Sequence, residues 1–120
     1  MQELVNFFFK LSTQLKLYHW NTKSYSRHVS SGSLFDAVTD KTDHFIEVLQ
    51  GRYGKQDVSV KLDVGEISDD TAVSFLKRAV EYLENIVDNG LVKETDTDLL
   101  NIRDEIMGCI NKTIYLFTFK

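Results

Sequence analysis

The chain has 120 residues, 42% of them hydrophobic and 27% charged, which suits one domain built around one core. A formal net charge of −4 and a pI of about 5.3 give the whole chain no attraction for nucleic acid, and no block of lysine and arginine marks either end. The single cysteine, Cys109, excludes an internal disulfide framework, and no apolar run approaches the ~20 residues that a membrane span needs. The stretch from Leu4 to Phe9 is apolar but short, and no cleavage pattern follows it, so the reading is an intracellular, cytoplasmic protein without a signal peptide. The complete absence of proline fits a chain that is mostly helix.

The first predicted helix runs from about Gln2 to Trp20. Leu4, Phe8, Leu11, Leu15 and Tyr18 recur at helical spacing and form one stripe. Val5, Phe9 and Trp20 form a second, with Ser12 and Lys16 between them. A helix with two apolar stripes predicts contact with both its own core and a neighbouring subunit. Asn21 to Ser24 ends it. The second helix is predicted from near Ser33, where Ser33-x-x-Asp36 resembles a capping box, with Phe35, Val38, Thr42, Ile46, Leu49 and Tyr53 on one side and a stop at Gly51 or Gly54. Residues 51–67 lack helical period, although Val58-Ser59-Val60-Lys61-Leu62 alternates like a short strand. The third helix starts at Ser68 or Asp69, buries Val73, Leu76, Val80, Leu83 and Val87, and closes at Asn89-Gly90. The fourth starts near Thr95 and turns Leu99, Ile102, Ile106, Ile110, Thr113 and Phe117 inward.

Four such helices are each about 30 Å long. Residues 88–94 are a short link, so the third and fourth helices are expected to be antiparallel neighbours. The segment 51–67, fully extended, spans up to ~56 Å and can return the chain along the length of a helix. The prediction is therefore an all-α, single-domain, ferritin-like four-helix bundle over residues 1–120, with a long crossover between helices two and three.

Chemistry concentrates in "LYHWNTKSYSRH", Leu17 to His28, which holds two of the three histidines. His19 ends the first helix and His28 falls in the polar link. On the second helix Asp43 and Glu47, four residues apart, share a face roughly 6 Å apart at Cβ, where like charges repel. A solvated acidic face is one reading. A bound cation is the other, since carboxylates with neutral imidazoles suit Fe(II), Mn(II) or Zn(II). Elsewhere Cys109 reads as a small buried hydrophobe, Glu81 and Glu84 as a solvated face, and Arg52 with Lys55 as basic residues at a helix terminus.

His19-Trp20-Asn21-x-Lys23, then His28, then Asp43-x-x-x-Glu47 resemble the Dps-type miniferritins. The resemblance covers about residues 4–54 and departs from the family pattern in two places. The His19–His28 gap is about three residues short, and Gly32 stands where an acidic ligand is usual, with Asp36 one turn further as its substitute. What the resemblance implies is an iron-handling protein that binds and oxidises Fe(II), with Mn or Zn as other possible metals. The site would lie between subunits, where His19 and His28 of one chain meet Asp43 and Glu47 of its partner. It also implies a homo-oligomer built from twofold dimers; with no basic tails, neither nucleic acid nor membrane is expected as a partner. The longer string from Tyr18 to Gly54 is similar to small ferritin-like proteins of large DNA viruses and phages, which would place the chain in an infected cell or a virion. Gly32 and the short gap favour the rival reading, a non-enzymatic structural or virion-associated bundle without an active metal centre. A structural zinc at the same ligands is a third.

Overall fold

The apolar stripes fold into four helices in the computed structural model, which describes all 120 residues: α1 (Gln2–Asn21), α2 (Tyr25–Tyr53), α3 (Ala72–Glu84) and α4 (Thr97–Leu116). The first stripe of α1, Leu4 to Tyr18, is buried, as is the inward row of α4. On α2 the core row is Leu34, Val38, Phe45 and Leu49; the expected Phe35, Thr42 and Ile46 are only half-buried and Tyr53 is exposed. No helix is long and apolar enough to cross a membrane.

α2 begins eight residues before Ser33 because Ser24 caps it, its hydroxyl accepting from the Arg27 amide at 3.2 Å. The Ser-rich stretch that follows has low helix propensity, yet it stays helical; Ser30 and Ser31 are buried, and their hydroxyls are satisfied by bonding back to backbone carbonyls. Ser30 Oγ donates to the Ser26 carbonyl at 3.0 Å and Ser31 Oγ to the His28 carbonyl at 3.2 Å. α3 is shorter than expected and ends at Glu84; turns occupy 85–90, up to Gly90 with φ 75°. α4 begins at Thr97, two residues beyond the expected start.

The crossover forms no strand. Its backbone is held by side chains of α1. Gln2 Nε2 donates to the Ser59 carbonyl, the Lys61 amide donates to Asn6 Oδ1 at 3.2 Å, and Gln14 Nε2 donates to the Gly65 carbonyl at 2.9 Å. Asp69 then accepts from Tyr18 Oη at 2.6 Å and Thr22 Oγ1 at 2.5 Å. The crossover thus climbs parallel to α1, about one extended residue for every two helical ones, as rises of ~3.3 and 1.5 Å per residue require. It delivers α3 to the end of the bundle that carries Trp20. α1 and α4 therefore run one way and α2 and α3 the other, which is the expected long-crossover topology.

Each end of the bundle is closed by a carboxylate. At the Trp20 end, Asp69 also accepts from the Lys23 amide at 3.1 Å, while Arg27 donates to the Asp69 carbonyl at 2.8 Å and the Phe117 carbonyl at 3.2 Å. The Thr22 and Tyr18 hydroxyls outweigh partial burial and hold Asp69 below the usual carboxylate range; burial, then Asp69 itself, pushes Tyr18 up. At the other end Asp96, 0% exposed, ties the end of α2 to the start of α4. It accepts from Arg52 Nε and Tyr53 Oη, both at 2.5 Å, and from the Lys93 amide at 2.9 Å.

Candidate functional site

The short link between α1 and α2 brings His19 and His28 into contact. Their rings stack with centroids 3.9 Å apart and 16° between planes. His19 Nδ1 lies 2.6 Å from the His28 carbonyl oxygen, and His28 Nδ1 lies 2.7 Å from the His19 carbonyl oxygen. A carbonyl only accepts, so in each bond Nδ1 is the donor. His28 is therefore helical and half-buried, where a polar link was expected. The pair is a reciprocal clasp that joins the two helices.

Gly32 completes the clasp. A Cβ at this position would sit 2.8 Å from His19 Cε1 and 3.0 Å from His19 Nδ1. The absent side chain that counted against an acidic ligand is the space into which the His19 ring packs. Gly32→Ala is expected to lower stability by about 1–3 kcal/mol through overpacking, and by much less in a His19→Ala background. Thermal unfolding of the four proteins checks this; equal losses in both backgrounds would contradict it.

The carboxylates lie elsewhere. Asp36, Asp40, Asp43 and Glu47 line the exposed side of α2. The hydrogen bond and the charge of Asp43 push the Glu47 pKa up, with a small opposing effect from His44. His28 and Asp43 are fifteen residues apart on one rigid helix, which is about 22 Å at 1.5 Å per residue. One chain cannot close them on a single ion. No three His, Cys, Asp or Glu side chains converge as a metal group anywhere in the structure. Within a chain His19, His28, Asp36, Asp43 and Glu47 therefore do not fit an iron, manganese or zinc centre.

The most apolar surface groove lies between the outer faces of α1 and α2 and is about 580 Å³ in volume. The second stripe of α1 opens onto it: Phe9 is 49% and Trp20 65% exposed. Lys16 lies in it, its Nζ 4.7 Å from the Phe35 ring and 5.7 Å from Trp20. Phe35, Thr39 and Ile46 form the α2 wall and Val58 of the crossover closes one end.

Residues 19–117 match the model of a family described as "Family of unknown function (DUF5856)". The chain belongs to this family. A protein of Enterobacteria phage T4, described as "Uncharacterized 14.6 kDa protein in mobD-ri intergenic region", is 26% identical over 104 residues, covering 85% of this chain and 75% of that protein. No solved structure matches. The expected kinship with the Dps-type miniferritins, and with their viral counterparts, is overturned by these matches: the family found is DUF5856, and the relative is a phage protein whose description carries no ferritin. The clasp gives a physical reason for the false likeness. A His-Trp pair at the end of a helix followed by a histidine early in the next serves helix-to-helix bonding as well as it serves ligation.

Sequence reasoning missed the residues that shape the DUF5856 bundle most. Gln2, Asn6 and Gln14 were given no role there, yet with Thr22 they recur at multiples of four residues and mark a polar stripe of α1 beside Tyr18. That spacing was available as a signal. Asp96 offered none, because an aspartate near a helix start is common whether it is exposed or buried.

Proposed function

We propose that this DUF5856 protein is a non-enzymatic helical building block that works as a twofold homodimer joined through the α1/α2 groove. The observation that carries the reading is the exposed pair Phe9 and Trp20, large apolar side chains that face an open groove. Exposed tryptophan is the residue type most enriched among energetic anchors of interfaces.

Charge identifies the occupant. Lys16 lines the α1 side of the groove and Asp43 the α2 side, and Asp36, Asp40 and Glu47 lie beyond it on the exposed side of α2. In a twofold contact the same patch meets itself, so α1 of one copy can lie over α2 of the other. Lys16, level with Phe35, then faces the Asp36 end of the partner's acidic row. The phage T4 relative supports an infected cell or a virion as the setting.

Sedimentation across a concentration series tests this. A species of twice the 13.9 kDa chain mass is expected, reverting to the monomer in Trp20→Asp with an unchanged circular dichroism spectrum. A monomer at every concentration overturns the reading. An anaerobic Fe(II) titration of the same protein tests the rival iron-handling function: stoichiometric binding at the dimer, with oxidation faster than in buffer and lost in a His19→Ala, Glu47→Ala variant, would overturn the non-enzymatic reading.

A further inference from the structure

We infer that the crossover pairs with the crossover of a second copy, antiparallel and centred on Ser59, as a two-stranded ribbon over residues 55–63. The contact uses the crossover's backbone edge, not the α1/α2 groove, and goes beyond the dimer proposed there.

The crossover is a strand without a neighbour. From Ser59 to Gly65 it climbs α1 at the rise of an extended chain, and residues 51–63 are exposed. From Lys55 to Ile67 no backbone group bonds to another backbone group. α1 occupies one edge, where the Ser59 carbonyl accepts from Gln2 and the Lys61 amide donates to Asn6. In an extended chain the backbone groups of successive residues turn to opposite edges. Those of Val58, Val60 and Leu62 therefore form the other edge, and they have no partner within the chain. Such a row is a template for one more strand.

The charges select a second copy of the same segment. Lys55-Gln56-Asp57-Val58-Ser59-Val60-Lys61-Leu62-Asp63 is complementary to its own reverse. With Ser59 on a twofold axis, Lys55 opposes the partner's Asp63, Asp57 opposes the partner's Lys61, and Val58 opposes the partner's Val60. None of these charged groups is ion-paired within its own chain. Val58 and the partner's Val60 exchange N–H···O bonds through their free edges, while the Ser59 backbone stays turned to α1. Val58, Val60 and Leu62 share one face of the ribbon, and the charges share the other.

Other registers fail on the same residues. An axis at Val58 opposes Lys55 and the partner's Lys61. An axis at Val60 opposes Asp57 and the partner's Asp63. An axis between two residues sets a free edge against one already turned to α1. Parallel pairing in register opposes every charge with its own copy.

A ribbon of two short strands is marginal in water, so the contact is weak between free chains and cross-linking is the measurement. In this register the two Ser59 Cα atoms lie about 4.5 Å apart, within disulfide reach. In a Cys109→Ser background, Ser59→Cys is expected to form the covalent dimer in glutathione buffer about tenfold faster than Asp57→Cys or Lys61→Cys alone. A mixture of the last two should give the mixed dimer. Asp57→Lys added to Ser59→Cys should slow the reaction about fivefold or more, and Lys61→Asp added to both should restore most of the rate. Equal rates at the three cysteine positions, a maximum at Asp57 or Lys61, or no recovery on charge exchange overturns the pairing, whether or not the groove dimer forms. The preference for Ser59 should persist in Trp20→Asp; its loss there would assign the cross-link to the groove dimer and overturn the separate contact. A chain monomeric in sedimentation that still cross-links at Ser59 overturns the groove dimer alone.

Discussion

Replacing Phe8 with alanine is expected to cost about 3–5 kcal/mol in urea unfolding, a large share of the 5–15 kcal/mol that holds an ordinary domain together. Phe8 is fully buried and stands edge-on to Phe45 of α2, with centroids 5.2 Å apart. It also meets Phe7 edge-on at 5.4 Å, and Phe7 stacks on Tyr82 of α3 at 4.0 Å. A chain of rings thus runs from α2 through Phe8 and Phe7 of α1 to α3, and removing Phe8 leaves a cavity at its middle. Phe8 also lies at the floor of the α1/α2 groove. The variant should therefore weaken self-association as well as folding, whereas Trp20→Asp, exposed in the single chain, should weaken association alone. A loss below about 1.5 kcal/mol for Phe8→Ala would mean that the core collapses around the gap and that the ring chain contributes little.

The bundle and its long crossover were legible because they rest on patterns that need no partner. Leu4 to Tyr18 and Leu99 to Phe117 repeat at helical spacing, and a long unpatterned segment between helices restricts the topology. The start of α2 was not legible. Ser30-Ser31-Gly32-Ser33 reads as a break, and only the packing of α1 and α4 against these small residues makes the helix the better state. Propensity is a weak prior, and tertiary contact overrode it here. The same holds for the crossover. Alternation from Val58 to Leu62 suggested a strand, but a strand needs a neighbour with free backbone groups, and α1 offers side-chain amides instead.

The candidate site divides the same way. The second stripe of α1 was read from spacing as a surface for a neighbouring subunit; the structure leaves its Phe9 and Trp20 open to solvent and buries Val5. The metal reading used residues whose type suits ligation but whose positions were inferred by likeness. His19 and His28 do meet, each spending its Nδ1 on the other's carbonyl, and the carboxylates of the same chain lie turns away along α2, so the expected convergence with Asp43 and Glu47 is one between chains. Residue type narrows the chemistry; only distance decides whether donors converge. α1 therefore serves three masters with one period: a core row, a polar row that holds the crossover, and an exposed row that we assign to the partner.

Asp96→Asn is expected to cost about 2–4 kcal/mol at neutral pH, because it leaves Arg52 only its 3.7 Å contact with Asp98 and places an amide where three donors converge. Burial alone would raise the Asp96 pKa; the Tyr53 hydroxyl, the Lys93 amide and Arg52 outweigh it and hold the carboxyl below its usual value. A carboxylate depressed in the folded state contributes stability that is complete above its unfolded pKa, near 3.9, and disappears as pH falls through the folded value. Asp69 is depressed in the same direction at the opposite end of the bundle. Both closures should thus weaken together below about pH 4. The protonated Asp96 side chain resembles asparagine, so the gap between the parent and Asp96→Asn should be widest at pH 7 and shrink in acid. Urea midpoints for both proteins at neutral pH and near pH 3 measure it. A gap that stays constant across that range would assign the cost to lost shape and not to the charge, and would remove Asp96 as the electrostatic tie between α2 and α4.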